Sequence, residues 1–162
     1  MTTYTTDQPE IQLIGVSTRT TNAEETGQNG RLPGLWQTFF QSGMASNPGV
    51  VNPHRIYALY MDYESDVNGA YTVLIGHEAG GQAVQGDTDY KAAVIPAARY
   101  RVFTSGRGPA YEVVPQAWRE VWAYFKESPE ERAYTGDFEL YDYDSPHIDP
   151  ANMEVRIYIA IR

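Results

Sequence analysis

Leu32-Pro-Gly-Leu-Trp-Gln-Thr-Phe-Phe40 and Val114-Pro-Gln-Ala-Trp-Arg-Glu-Val-Trp-Ala-Tyr-Phe125 decide the fold. Leu32, Leu35, Trp36, Phe39 and Phe40 recur at helical spacing in the first, as do Trp118, Val121, Trp122 and Phe125 in the second. In each, a proline stands three residues before a tryptophan, and Pro33 suits a first helical turn. Pro33 and Trp36 fall on Pro115 and Trp118 at an offset of 82 residues. Leu59-Tyr60 falls on Leu140-Tyr141 at an offset of 81. Repetition over such a period marks one supersecondary unit used twice.

Strands flank both helices. Ile11 to Thr20 is rich in β-branched residues and partly alternating, and reads as a strand. The polar stretch Thr21 to Gly30 is a loop, and Asn47-Pro48-Gly49 ends the first helical region. Ile56 to Glu64 and Tyr71 to Glu78 form a hairpin around Ser65-Asp-Val-Asn-Gly69. In the second half Lys91 to Thr104 holds a strand, with Pro96 limiting where it can sit centrally. Asp137 to Tyr143 and Glu154 to Arg162 are strands, joined through Ser145 to Asn152. The expected fold is α+β: a tandem strand-helix-strand-strand repeat forming one antiparallel sheet with two main helices. Residues 1–162 read as one domain, with halves at about 11–80 and 91–162. A groove on the pseudo-twofold axis between the halves is the expected concave site.

Composition narrows the function. The net charge of -9, without a Lys/Arg cluster, argues against direct nucleic-acid binding. Cysteine is absent, which removes disulfides and thiolate metal sites. Met1 to Glu10 lacks a signal-peptide apolar region and no run reaches membrane-spanning length, so a cytoplasmic protein is expected. No metal or cofactor is expected. Asp142, Asp144 and Asp149 lack the spacing of a calcium loop, and His54, His77 and His147 show no ligand spacing. Gly106-Arg-Gly108 lacks the Lys-Ser/Thr of a phosphate loop. The acidic run Glu127 to Glu131, broken by Pro129, reads as a solvated helix end. The positive signal is 13 tyrosines, each an apolar ring with a polar tip.

Tyr60-Met-Asp-Tyr-Glu-Ser-Asp-Val-Asn-Gly-Ala-Tyr-Thr-Val-Leu-Ile-Gly76 resembles the first-half hairpin of GyrI-like proteins. Ala117-Trp-Arg-Glu-Val-Trp122, Thr135-Gly-Asp-Phe-Glu-Leu-Tyr141 and Ile157-Tyr-Ile-Ala-Ile161 resemble the second half. The resemblance runs from about Ile11 onward. It implies the effector-binding domain of bacterial transcription regulators, here in stand-alone form without a preceding helix-turn-helix. It also implies binding of bulky, often cationic, aromatic compounds. Some stand-alone relatives act on gyrase or hydrolyse strained toxins.

Strand parity adds a clue of its own. Phe138 and Leu140 share one face of their strand, and Glu139, Tyr141 and Tyr143 share the other. In the last strand Val155, Ile157, Ile159 and Ile161 lie opposite Tyr158. At the offset of 81, Glu139 corresponds to Ala58, so the carboxylate stands in one half only. A structural need common to both halves would not produce that asymmetry; a ligand crossing the pseudo-dyad would. The resemblance implies that Glu139 is the acidic pocket residue that meets a ligand cation. The candidate ligand residues are Glu139, Tyr158, Trp36, Trp118, Trp122, Tyr60, Tyr141, Tyr57 and Phe40.

Plainer roles stay open: Glu139 as a solvated strand residue, the tryptophans as core, the tyrosines as cross-strand packing. Three functions also stay open. One is a module binding lipophilic, cationic small molecules. Another is a metal-free hydrolase in which Glu139 and Tyr141 act as an acid–base pair on strained electrophiles. The last is a gyrase-modulating or regulator-associated interaction protein, as a monomer or a homodimer.

Overall fold

The computed structural model describes residues 3–28, 30–46, 49–65, 68–80, 90–142 and 151–162. Asn47, Pro48, Asp66, Val67, Tyr143, Asp144, His147, Asp149 and most of the Ser145-to-Asn152 connection lie outside the described residues. The element order is β1 (Thr3–Gln8), β2 (Ile11–Thr20), α1 (Asn22–Glu25), α2 (Leu32–Gln41), β3 (Arg55–Met61), β4 (Tyr71–Glu78), β5 (Lys91–Ile95), β6 (Ala98–Thr104), α3 (Ala110–Glu127), β7 (Asp137–Asp142) and β8 (Arg156–Ala160). The fold is α+β, with eight strands in one antiparallel sheet of order β1-β6-β8-β7-β3-β4-β2-β5. Among the described residues, no helix is long and apolar enough to cross a membrane.

Several elements differ from the sequence reading. The strand expected over Lys91 to Thr104 is two strands, interrupted at Pro96-Ala97. A proline there cannot donate to a ladder, and the chain leaves one partner for another. β1 had no apolar alternation to announce it, because an edge strand need not be apolar. The loop after Thr20 contains the short α1, whose first turn is capped by the Thr21 hydroxyl accepting from Glu24 N–H at 3.1 Å. α3 starts at Ala110, so Pro115 lies inside the helix rather than in its first turn. Its missing N–H removes one helical hydrogen bond. The acidic run is not uniformly solvated either. Glu130 pairs with Arg101 at 2.5 Å and accepts from Tyr124, and the Arg101 guanidinium holds its carboxyl below the usual range.

The strand order is symmetric about the β3–β7 pair, with β2, β4 and β5 on one side mirrored by β6, β8 and β1 on the other. Each half therefore has a leading strand that docks on the other half: β1 on β6, and β5 on β2. The links are short and alike, Pro9-Glu10 and Pro96-Ala97. In a flat sheet six strand spacings, about 29 Å, would separate β5 from β6. Three Cα–Cα steps reach only about 11 Å. The sheet must therefore curl until its edges approach.

Curling divides the apolar residues into two cores. The inner one gathers Leu13, Tyr57, Leu59, Leu74, Ile95, Tyr100, Val102, Phe138, Leu140 and Tyr158. The outer one puts Ile14, Val16, Ile56, Val73, Ile75, Phe103, Ile157 and Ile159 with Leu35 and Phe39 of α2 and Val121 of α3. Each fully buried large side chain contributes roughly 1.5–3 kcal/mol. At the β2–β4 contact Gly15 and Gly76 are direct partners. A Cβ on Gly76 would overlap the Ile14 carbonyl, and one on Gly15 the Ile75 carbonyl, so only glycine allows this approach.

His77 lies buried in the outer core beside Phe39, ring centroids 5.3 Å apart. Its Nδ1 lies 2.8 Å from the Arg55 carbonyl, while Nε2 is buried without a partner among the described residues. The carbonyl selects the tautomer in which Nδ1–H donates. Burial lowers the His77 pKa, because protonation would place a second N–H where nothing accepts it. The unfolded chain takes up that proton near pH ~6.5. Stability is therefore full above that pH and declines as pH falls toward the lower folded value. His77→Gln keeps a donor for Arg55 and cannot titrate. Urea unfolding at pH 7.5 and 5.5 should show a smaller acid loss in this variant by about 1 kcal/mol.

Candidate functional site

β3 and β7 are neighbours in the centre of the sheet, and their register pairs Ala58 with Glu139 directly. These two residues are also equivalent by the repeat, so the pseudo-twofold axis passes between them. Glu139 stands on the helix-covered face, only 2% exposed. Its Oε2 accepts from the Trp118 indole N–H at 2.6 Å and the Tyr60 hydroxyl at 3.1 Å. Its Oε1 accepts from the Tyr141 hydroxyl at 2.7 Å. All three donors are neutral. Burial raises the Glu139 pKa, and the three hydrogen bonds only partly offset it. Tyr60 is pushed well above the ordinary phenol value by burial and then by the Glu139 charge, so its proton stays on.

A cavity of about 410 Å³ opens above this carboxylate. Among the described residues six aromatic side chains line it: Tyr60, Tyr63, Tyr71, Tyr134, Trp118 and Trp122. The β3–β4 hairpin supplies the first three. α3 supplies the tryptophans one turn apart, while Ala117 and Val121 of the same helix pack on the sheet. Trp118 and Tyr60 lie 5.1 Å apart, and Tyr60 and Tyr71 5.5 Å. Asn22, Glu25 and Thr26 at α1, with Leu32 of α2, close another wall. Glu25 also ties that wall together, accepting from Arg31 N–H at 2.9 Å and Leu32 N–H at 3.1 Å at the start of α2.

Behind the far wall, beyond Arg132, lies another carboxylate with a different fate. Asp137 lies two residues before Glu139 on the same face of β7 and is fully buried. Its Oδ2 accepts from Arg132 Nη2 at 2.7 Å and the Tyr63 hydroxyl at 2.5 Å, and its Oδ1 from Ala160 N–H at 2.8 Å. Arg132 in turn lies over the Tyr134 ring, 4.5 Å from its centroid. Asp137 thus has a cation of the chain's own, and Glu139 has only neutral donors among the described residues.

The candidate residues distribute unevenly. Glu139, Tyr60, Trp118 and Trp122 line the cavity. Tyr141 reaches it through its bond to Glu139. Trp36 stands edge-on behind Tyr141 at 5.2 Å, and Phe40 stacks on Trp36 while half exposed, so neither lines the cavity. Tyr57 and Tyr158 point the other way, into the inner core, where Tyr158 stacks on Phe138 at 4.4 Å. The register explains this: Glu139 pairs with Ile157, and Phe138 with Tyr158. The tyrosine faces of β7 and β8 are therefore opposite faces of the sheet. Tyr63, Tyr71, Tyr134 and Arg132 were not singled out by the sequence. A larger groove of about 880 Å³ follows the other flank of α3, past Ser105, Tyr111 and Gln116. Among the described residues Tyr111 is its only aromatic lining residue, and it stands exposed, so the groove offers no comparable set of ring faces to a ligand.

Comparison with known proteins agrees with this architecture. YobU of Bacillus subtilis, whose name describes it as a candidate transcriptional regulator, is 36% identical over 153 residues, covering 93% of this chain and 92% of that protein. An integron cassette protein from the mobile metagenome of Vibrio cholerae has a crystal structure that matches with a TM-score of 0.79 at 29% identity, over 99% of this chain and 95% of the other. SAV2435, solved bound to tetraphenylphosphonium, has the same fold with a TM-score of 0.70 at 19% identity, over 100% of this chain and 94% of the other. The family model described as integron-associated effector binding protein matches residues 6–161. The chain belongs to that family, within the GyrI-like type of effector-binding domain.

Proposed function

We propose that the cavity binds a bulky lipophilic cation, with Glu139 as its counter-charge and the surrounding rings as its walls. The contrast on β7 carries this reading: Asp137 has Arg132 beside it, and Glu139 has neutral donors alone. An ionised carboxylate removed from water is costly until a positive charge joins it. A large, delocalised cation is weakly hydrated and enters an aromatic cavity at little desolvation cost. Each ring face then adds cation–π attraction of about 0.5–2 kcal/mol. Contacts of this kind tolerate varied shapes, which suits an effector site of broad specificity. The tetraphenylphosphonium bound to SAV2435 is such a cation, held by the same fold. Ligand capture in the service of regulation is the accompanying reading, supported by the name of YobU.

The test is a titration with tetraphenylphosphonium and with a neutral triphenyl analogue. Intrinsic fluorescence reports it, because Trp118 and Trp122 line the cavity. Saturable quenching by the cation is expected, with the neutral compound at least about tenfold weaker. Equal affinities would reduce the site to an apolar groove. Acid should oppose binding. The cation requires ionised Glu139, whose pKa burial has raised. Below that pKa the apparent affinity should fall by up to about tenfold per pH unit, with one proton released per cation bound. Calorimetry in buffers of different ionisation enthalpy would count that proton.

A further inference from the structure

We infer that Glu25 supplies a second counter-charge, so that the cavity takes dicationic aromatic compounds in preference to monocations of the same shape. The inference rests on the proposed role of Glu139 as the first counter-charge. Among the described residues two carboxylates line the cavity, Glu139 at its base and Glu25 in the α1 wall, and neither forms an ion pair with the chain. A row of rings joins them. Tyr60 donates to Glu139, and its ring centroid lies 5.5 Å from that of Tyr71. The Tyr71 hydroxyl donates at 2.8 Å to Asn22 Oδ1, at the start of the short helix that carries Glu25. Burial raises the Tyr71 pKa, and the charges of Glu25 and Glu139 raise it further, so this one ring stands in the field of both.

The lining arginines do not cancel this charge. Arg132 is paired with Asp137. Arg119 is exposed, donates to Gln116 at 2.7 Å and borders the outer groove as well, so solvent screens it. Glu25 itself is held by the Thr20 hydroxyl and by the N–H groups of Arg31 and Leu32, all neutral donors like those of Glu139. It is partly exposed, so a lone cation gains most at the drier Glu139 and leaves Glu25 to water. A second positive charge on the same ligand would lose hydration on entry and be repelled by the first. A carboxylate on another wall of the same cavity offsets both costs, and the Tyr60–Tyr71 row offers π-faces along the way.

The experiment compares methyl viologen, a dication of two linked pyridinium rings, with N-methyl-para-phenylpyridinium, the monocation of the same shape. The control is para-phenylpyridine, uncharged at neutral pH. Affinities are read by calorimetry for the native chain, for Glu25→Gln and for Thr20→Val. Glu25→Gln removes the charge and still accepts one of the two α2 N–H bonds. Thr20→Val removes a hydrogen bond to Glu25 and leaves the charge, so it reports what a disturbed wall does by itself. The native chain should bind the dication at least about fivefold more tightly than the monocation. That ratio should collapse to about one or below in Glu25→Gln and persist in Thr20→Val. Dication binding no tighter than that of the monocation in the native chain would overturn the inference, as would a ratio unchanged in Glu25→Gln or lost equally in Thr20→Val. Each of these leaves Glu139 as counter-charge if the monocation still binds more tightly than para-phenylpyridine. Binding of both cations no tighter than para-phenylpyridine would overturn the counter-charge reading and this inference with it. Circular dichroism and melting temperatures confirm that both variants are folded before the ratios are compared.

Discussion

Glu139→Gln is expected to abolish the preference for a cation and, in the absence of ligand, to make the chain more stable at neutral pH. The substitution fits the site. A glutamine oxygen in place of Oε2 still accepts from Trp118 and Tyr60, and its amide in place of Oε1 donates to a Tyr141 hydroxyl that turns to receive it. Only the charge is lost. Removing one partner of a buried charge pair costs about 2–5 kcal/mol of binding, or roughly 30- to 5,000-fold in affinity. A neutral ligand of the same shape should change little. The stability effect runs the other way. Burial raises the folded pKa of Glu139 above its unfolded value. The fold is unpenalised below the unfolded value, near ~4.3. Stability is then lost as pH rises toward the folded value. Gln cannot ionise, so its melting temperature at pH 7 should exceed that of the native chain, and the two should converge near pH 4. A Glu139→Gln chain that still binds the cation selectively would remove this residue from the proposed role.

The second large effect belongs to Arg132. Arg132→Met should destabilise the chain by about 3–5 kcal/mol, because Asp137 would remain buried without its cation. In a chain of this size that is a drop in melting temperature of roughly 6–20 °C. The Tyr63 hydroxyl and Ala160 N–H would still donate to Asp137, but they bring no compensating charge. Asp137→Asn in the same background should recover much of the loss. The double-mutant cycle, read by urea unfolding, isolates the pair term. Additive single effects would mean that Arg132 acts through its packing on Tyr134 instead.

Local pattern made most elements legible. Helical spacing located α2 and α3, β-branched runs located β2 and β4, and the repeat predicted a shared axis. The repeat also singled out Glu139, since only comparison with Ala58 makes one carboxylate conspicuous. Parity failed where register was needed. It says which residues of one strand share a face, but not which faces of adjacent strands coincide, so Tyr158 was grouped with Glu139; Tyr57 lies on the opposite face from Ala58 and Tyr60 by the parity of β3 itself. The missing wall residues reach the cavity through turns. Tyr63 follows Asp62 at φ 53°, and Tyr134 itself has φ 55°, left-handed conformations that no periodicity encodes. Tyr71 was the exception. It shares parity with Val73 and Ile75, so the hairpin register alone would have placed it on the helix face.

The place of Ala58 and Glu139 astride the axis has a consequence for ancestry. A half-length chain pairing with its own copy would carry the same residue at both positions. It would hold two alanines and no charge, or two glutamates on directly opposed strand positions, Cα atoms about 4.5–5.5 Å apart. Two such carboxylates cannot both stay ionised in a dry site. A single charge on the dyad requires two halves of different sequence, and this chain supplies both. Carrying both halves in one chain therefore does more than secure the exchanged leading strands. It lets the symmetry be broken at the one position where symmetry forbids a lone anion.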